Sequence, residues 1–274
     1  MKTAVRYLEA EGTVIAYREE NPDREKTVFF LHGNSGSRQT WDGQMASPLL
    51  SDFRMVAFDL PAHGNSGGPD TDAFGYSLAR LARIMSSAIN MLGGDEPYFL
   101  AGLSLGSNIA CESLALVKAR GLVMISPCII GADYPVNVLF RPGADLRAVF
   151  ADDADERLIH QTLLSCVHTG TPELLADLLA DYHKVKGNFR SRLYESVQKQ
   201  QYGDEIKMLQ ESGIRPLVLF GEDDPISNIG YLDPLEHKMW NGKIYKLKQA
   251  SHFLHLDQPS LVTKLLHDYF GQYK

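Results

Sequence analysis

Seven short apolar runs punctuate this chain, at Val14–Tyr17, Val28–Leu31, Met55–Leu60, Tyr98–Ala101, Leu122–Ile125, Leu217–Phe220 and Ile244–Leu247. From Val28 onward most have the continuous hydrophobicity of strands buried on both faces. Helical spacing lies between them. Leu78, Leu81, Ile84, Met85, Ala88 and Leu92 recur at helical intervals along and just past Tyr76–Met91, and a second pattern covers Ser104–Val117. Strands covered above and below by alternating helices favour a mainly parallel α/β sheet, with ligands beyond the carboxyl ends of the strands.

The alternation stops near Pro127 and resumes near Arg215. The stretch between reads as helices, among them Glu156–Val167 and Pro172–Lys184. Thr171-Pro172-Glu173 has the form of a helix start, with Thr as cap and Pro in the first helical position. The organisation expected is an α/β core from residues 1–132 and 212–274, with 133–211 as an inserted helical cap over the carboxyl ends of the strands. A chain of 274 residues is long enough for this.

Composition narrows the function classes. The chain is 44% hydrophobic and 22% charged, and its net charge of −7 argues against a nucleic-acid surface. Cys111, Cys128 and Cys166 are odd in number and widely spaced, which suits buried thiols in a reducing compartment better than a disulfide framework. The first residues lack the apolar run of a signal peptide, and no stretch has the length of a membrane span, so cytoplasmic residence is expected.

One junction carries chemistry. Tyr98-Phe-Leu-Ala-Gly102-Leu103-Ser104-Leu105-Gly106 runs from a buried strand directly into a helix. A serine at such a turn needs small neighbours, because the backbone is strained and the flanking chain packs closely. The helix N-terminus behind it favours developing negative charge. The spacing alone is weak, since G-x-S-x-G arises by chance in roughly one chain in ten of this length. Gly64-Asn65-Ser66-Gly67-Gly68 matches it too, but Pro69-Asp70-Thr71-Asp72 follows instead of a helix, so Ser66 is read as a loop residue.

A serine nucleophile needs a base, usually a histidine held by a carboxylate. The strand Leu217–Phe220 ends in Gly221-Glu222-Asp223-Asp224-Pro225, and Ala250-Ser251-His252-Phe253-Leu254-His255 follows the last strand. These segments offer three acids and two histidines. Their order along the chain is Ser, acid, His.

With His32-Gly33 after one strand and Asp59-Leu60-Pro61-Ala62-His63-Gly64-Asn65-Ser66 after the next, the chain resembles the α/β-hydrolase superfamily over nearly its full length. That resemblance implies a mostly parallel eight-stranded sheet flanked by helices, with an inserted helical cap. It selects Asp224 as the acid and His252 as the base, leaving His255 to pack over the site and His32 and His63 to build loops. It also implies an oxyanion hole made by the main-chain N–H groups of Asn34 and Leu105.

His32-Gly33-Asn34-Ser35-Gly36-Ser37, Trp41 and the Ser-Leu-Gly turn further resemble the metal-independent N-acyl-homoserine lactonases, which open the lactone ring of bacterial quorum-sensing signals. The chain departs from them at Ser107 and Ser251, where those enzymes commonly carry Gly, and at Asp224, where they can use Glu. It also lacks a tyrosine within Leu158–Thr162, where His160 is the substitute donor considered. Tyr182 and His183 are further cap candidates. Val138, Leu139, Phe140, Val149, Phe150, Leu163 and Leu164 offer apolar walls for an acyl chain.

The nine histidines include neither H-x-H-x-D-H nor H-E-x-x-H, and no phosphate-cradling glycine loop is present. No metal or cofactor is expected, because hydrolysis by this triad needs only water. The partner expected is a small ester or lactone with an acyl chain. A carboxylesterase, a C–C bond hydrolase and a non-catalytic ligand-binding protein of the same fold remain alternatives.

Overall fold

The computed structural model describes residues 4–68 and 75–273. The polar run Pro69–Asp72 that follows Ser66 lies outside the described residues. Among the described residues eight strands form one sheet: β1 (Arg6–Ala10), β2 (Thr13–Glu20), β3 (Lys26–Leu31), β4 (Phe53–Phe58), β5 (Tyr98–Leu103), β6 (Ala119–Ile125), β7 (Leu217–Gly221) and β8 (Ile244–Leu247). Their order is β1-β2-β4-β3-β5-β6-β7-β8. β2 pairs antiparallel with β1 and β4, and the remaining pairs are parallel. The apolar runs do not mark β1. It is an edge strand in which only Ala10 is buried, so it carries no hydrophobic signal.

Residues of the central strands alternate between two cores, as side chains on a pleated strand must. Phe29 and Leu31 face α1 (Leu78–Gly93) and α2 (Leu105–Ser113), whereas Val28 and Phe30 face the other side. There the final helix of the chain packs Val262, Leu266 and Phe270 against the sheet, with the Phe270 ring 4.7 Å from that of Phe99. Helices thus cover both faces, which is why both sets of positions along β3 are apolar.

The segment between β6 and β7 is helical. Two short helices, Val136–Leu139 and Arg147–Phe150, precede α3 (Glu156–Ser165), α4 (Pro172–His183), α5 (Phe189–Gln198) and α6 (Glu205–Ser212). Thr171 caps α4 by accepting a hydrogen bond from Leu174 N at 3.2 Å, and Pro172 occupies its first turn. The final helix is α7 (Pro259–Gly271). Among the described residues no helix is long and apolar enough to cross a membrane.

The order reverses around β3, whose neighbours are β4 on one side and β5 on the other. A crevice opens at such a switch point, beyond the carboxyl ends of the strands. The loops after β3, β5, β7 and β8 lie around it.

One buried acid joins α6 to α2. Glu205 is fully buried, and its Oε2 accepts bonds from Asn108 Nδ2 and Ile130 N, both at 2.8 Å. Its Oε1 has no partner, and burial holds its pKa well above the usual carboxylate range. The unfolded chain releases this proton at ordinary carboxylate pH, while the folded chain retains it, so stability falls as pH rises past that range. Glu205→Gln keeps an accepting oxygen without the titrating proton. It should raise the melting temperature at pH 8 by about 3 °C and by much less at pH 4, as thermal denaturation at the two values would show.

Candidate active site

Ser104 sits between β5 and α2 with φ 49° and ψ −116°, a conformation that costs a non-glycine residue about 1–3 kcal/mol. Its N–H donates to Ile125 O at 2.8 Å, extending the β5–β6 ladder to the residue itself. Close approach explains the flanking glycines. A Cβ on Gly106 would lie 2.3 Å from Leu31 O, and one on Gly102 would lie 2.4 Å from Gly106 O. The helix axis is thereby held against the ends of β3 and β5, with Ser104 at its N-terminus. Ser107 uses its hydroxyl to donate to Gly102 O at 2.9 Å, which gives that departure from the lactonase pattern a local task.

Asp224 and His252 meet from two different loops. His252 Nδ1 lies 2.9 Å from Asp224 Oδ2, and both side chains are buried. Asp224 Oδ1 accepts from Ile226 N at 2.8 Å and Ser227 N at 2.9 Å. Burial works to raise the Asp224 pKa, but the His252 imidazole and these N–H groups hold it below its ordinary value. The ionised carboxylate therefore fixes the imidazole with Nδ1–H toward it and Nε2 free for chemistry. Gly221 makes the crossing possible, since a Cβ there would lie 2.3 Å from the carbonyl oxygens of Ala250 and Ser251.

The neighbouring acids and histidine are placed differently. Asp223 is exposed and pairs with His168 Nδ1 at 2.9 Å. His255 is fully buried, its ring tilted against that of Trp41 with centroids 4.9 Å apart, and its Nε2 is 2.6 Å from Thr40 Oγ1. Burial first, and then the charge of His252, pull its pKa down to about 3.

The loop after β3 is braced by the loop after β4. His32 Nε2 accepts from Leu60 N at 2.9 Å, and His63 Nε2 accepts from Ser35 N at 3.1 Å. Each ring places Nδ1 toward a carbonyl, Gly33 O for His32 and Pro61 O for His63. Burial pulls their pKa values down to about 4 and about 3, so both are neutral struts. Asp59 gathers Arg38 N, the Arg38 guanidinium and Asn65 N. Ser66 is buried, donating to Asp59 O at 2.7 Å and accepting from Ala16 N at 2.8 Å. It is a bracket in the loop.

Ser104, Leu105, Asn34 and His252 line one cavity. Gly33 packs so close that a Cβ there would lie 3.4 Å from Ser104 Cβ. The rest of the wall is mostly apolar, including Leu139, Phe140, Val149, Phe150 and Leu163 from the helical segment. Val138 instead packs on the core, and Leu164 is exposed. A second, more polar cleft shares Gly33–Ser35 and continues past Ser37, Thr40 and Asp181.

The expected cap donors divide. Tyr182 lines the cavity, but its hydroxyl donates to Ala148 O at 2.8 Å. His160 lies outside the cavity and is exposed, and His183 is exposed beside Glu156. The reason is helical phase. Ile159 and Leu163 form the buried stripe of α3, so Thr162 turns toward the cavity while His160 and Leu164 share the opposite stripe. Cys166, Ile226 and Asn108 also line the cavity without having been singled out by any motif.

The loops bearing Asn34, Asp224 and His252 are each bonded to the helical segment. Asn34 Nδ2 donates to Val149 O at 2.8 Å. Asn228 N donates to Leu139 O at 2.8 Å, and Arg141 Nη1 to Asp224 O at 3.2 Å. Phe253 N donates to Cys166 O at 2.9 Å, and Ser251 Oγ to Ser165 O at 2.7 Å. Ser251, the second departure from the lactonase pattern, is thus one of these ties.

The model of the alpha/beta hydrolase family matches residues 28–265, a span that contains Ser104, Asp224, His252 and the helical segment. The chain belongs to this family. Among curated relatives it is 20% identical over 261 residues to monoacylglycerol lipase abhd6-B of Xenopus laevis, covering 91% of this chain and 77% of that one. It is 23% identical over 258 residues to a pimeloyl-[acyl-carrier protein] methyl ester esterase of Neisseria meningitidis, covering 92% and 79%. Among solved structures, a mutant of the N-acyl homoserine lactonase AidH complexed with N-hexanoyl homoserine lactone superposes with TM-score 0.87 at 22% identity, over 99% of this chain and 100% of that one. A thermophilic esterase of Thermogutta terrifontis gives 0.78 at 17% identity, over 98% and 99%. These last two are likenesses of fold.

The close approach at Gly106 yields a sharp test. Gly106→Ala places its methyl against main-chain oxygen that cannot swing aside, and should destabilise the fold by about 2 kcal/mol or more. Chemical denaturation measures the loss, and a variant as stable as the parent would contradict the packing described.

Proposed function

We propose that this chain is a metal-independent serine hydrolase of carboxylic esters and lactones, with Ser104 as nucleophile, His252 as base and Asp224 as its orienting carboxylate. The observation that carries the reading is that the Asp224-bound imidazole and the strained Ser104 line one cavity with largely apolar walls. Residues 133–211 act as the cap that completes those walls, and three buried, unpaired cysteines suit a cytoplasmic setting.

In this mechanism His252 Nε2 takes the Ser104 proton as Oγ attacks the substrate carbonyl. The developing oxyanion accepts from the main-chain N–H groups of Asn34 and Leu105, the second of which opens α2. His252 then returns the proton to the departing alkoxide, and water hydrolyses the acyl-enzyme. Asp224 keeps the imidazole in the required tautomer and stabilises its charged form. The acyl chain occupies the space among Leu139, Phe140, Val149 and Phe150.

The finer reading is that the substrate is an N-acyl-homoserine lactone. The His-Gly-Asn-Ser loop and the likeness in shape to AidH over the whole chain support it. A simple carboxylesterase is the second reading, favoured by the engagement of the Tyr182 hydroxyl with Ala148 O and by the exposure of His160. Both leave the cap with few polar groups to recognise a lactone.

Mass spectrometry of products from a panel of acyl-homoserine lactones, simple esters and amides separates them. Ring-opened acyl-homoserine as the dominant product is the outcome expected, whereas turnover confined to esters would establish the second reading. Ser104→Ala should remove at least about a thousandfold of kcat, and Asp224→Asn about 10⁴-fold, by presenting the wrong imidazole tautomer. Both variants should fold. Wild-type rates in Ser104→Ala would remove it as nucleophile.

A further inference from the structure

Ser35 follows the Asn34 oxyanion donor and adopts φ 61°, a left-handed conformation that few non-glycine residues occupy. It is held there on every side. Its N–H donates to His63 Nε2 at 3.1 Å, its hydroxyl donates to Asn34 Oδ1 at 3.1 Å, and the same oxygen accepts from Arg190 Nε at 2.8 Å. Arg190 comes from α5, 155 residues further along the chain. Its guanidinium is buried, lies 3.7 Å over the Tyr182 ring and donates through Nη2 to Tyr182 O at 2.6 Å. Among the described residues no carboxylate is within ion-pairing distance of it. Burying an arginine without a directly paired carboxylate is costly, and here the cation is offset by an aromatic face, a carbonyl, one serine hydroxyl and, at longer range, the Asp152 carboxylate that accepts from Arg190 N at 3.1 Å.

We propose that Arg190 is a positioning residue for the oxyanion hole, acting through Ser35. Its N–H occupies a lone pair of Ser35 Oγ, which directs the hydroxyl proton to Asn34 Oδ1. Asn34 is then gripped at both ends of its amide, by Ser35 and by Val149 O at 2.8 Å. With the side chain fixed in this way, the Asn34 main-chain N–H is aimed before substrate arrives, and preorganised donors of this kind act mainly on the transition state. Arg190 is absent from the cavity wall that Ser104 and His252 line.

This inference rests on Ser104 being the nucleophile, so the test uses a probe that reports the nucleophile and the oxyanion hole without requiring the natural substrate. An alkyl fluorophosphonate phosphonylates an active serine. The Ser104 oxygen bonds to phosphorus, fluoride departs, the serine proton passes to His252, and the phosphoryl oxygen takes the place of the oxyanion. Arg190→Met, Ser35→Ala and Ser35→Gly should each lower the maximal inactivation rate about tenfold, a fraction of the 10²–10³ lost when an oxyanion donor is removed outright. The half-saturating probe concentration should stay within about twofold. Ser35→Gly relieves the backbone strain and retains Arg190, so it stands as a folded variant even where Arg190→Met is unstable. The double variant Arg190→Met/Ser35→Ala should be no slower than the slower single one, because both act through one hydroxyl. Equal rates in the parent and Ser35→Gly, or multiplying losses in the double variant, would overturn the clamp while leaving the nucleophile intact. Failure of the parent to label at Ser104 would overturn the nucleophile, and the clamp with it.

Discussion

The first turn of α2 lies so close to the end of β3 that Gly106 leaves no room for a side chain beside Leu31 O. Much of the site geometry depends on this contact. It brings the N-terminus of α2 to the switch point of the sheet, holds Ser104 in a conformation that a relaxed chain would avoid, and makes Leu105 the first residue of the helix. Strain at that one residue is supported by two parallel ladders and by helices packed on both faces of the sheet. The core stabilises the fold, and the turn holds a local conformation that only a rigid surround can maintain.

Around that turn, some buried polar groups are fixed by neutral partners and others by charges. His32 and His63 serve as acceptors for main-chain N–H groups, and burial keeps them uncharged where a lysine or arginine could not accept at all. His252 differs through its carboxylate: Asp224 is ionised and saturated with donors. Of these three histidines two are neutral acceptors and one is bound to a carboxylate, a division decided by what each ring nitrogen faces.

The alternation of strands and helices was legible because strands covered on both faces are continuously apolar, and the Ser104 turn because glycine is required on both sides of it. Among the described strands only the edge strand β1, wetted along most of its length, escaped that reading. The pairing of Asp224 with His252 was legible once the resemblance chose among adjacent acids and histidines. Spacing could not supply the azimuth of a cap helix. One step along α3 separates Ile159, which is buried, from His160, which is exposed. Nor does local sequence announce contacts such as Arg190 with Ser35, because each residue alone resembles an ordinary polar residue in a helix or loop. Cys166 and Ile226 reach the cavity through tertiary packing, with no pattern that marks them.

The hydrogen bonds that join the helical segment to the loops bearing Asn34, Asp224 and His252 have an evolutionary consequence. A segment anchored at all three places cannot be exchanged as an independent module. Grafting one from a relative would have to bring matching partners for Asn34, Asn228 and Ser251, or the Asp224–His252 pair and the Asn34 loop would lose their alignment along with the old walls. New substrates are therefore reached more readily by changing single wall residues such as Phe140 or Phe150, which leave the anchors in place.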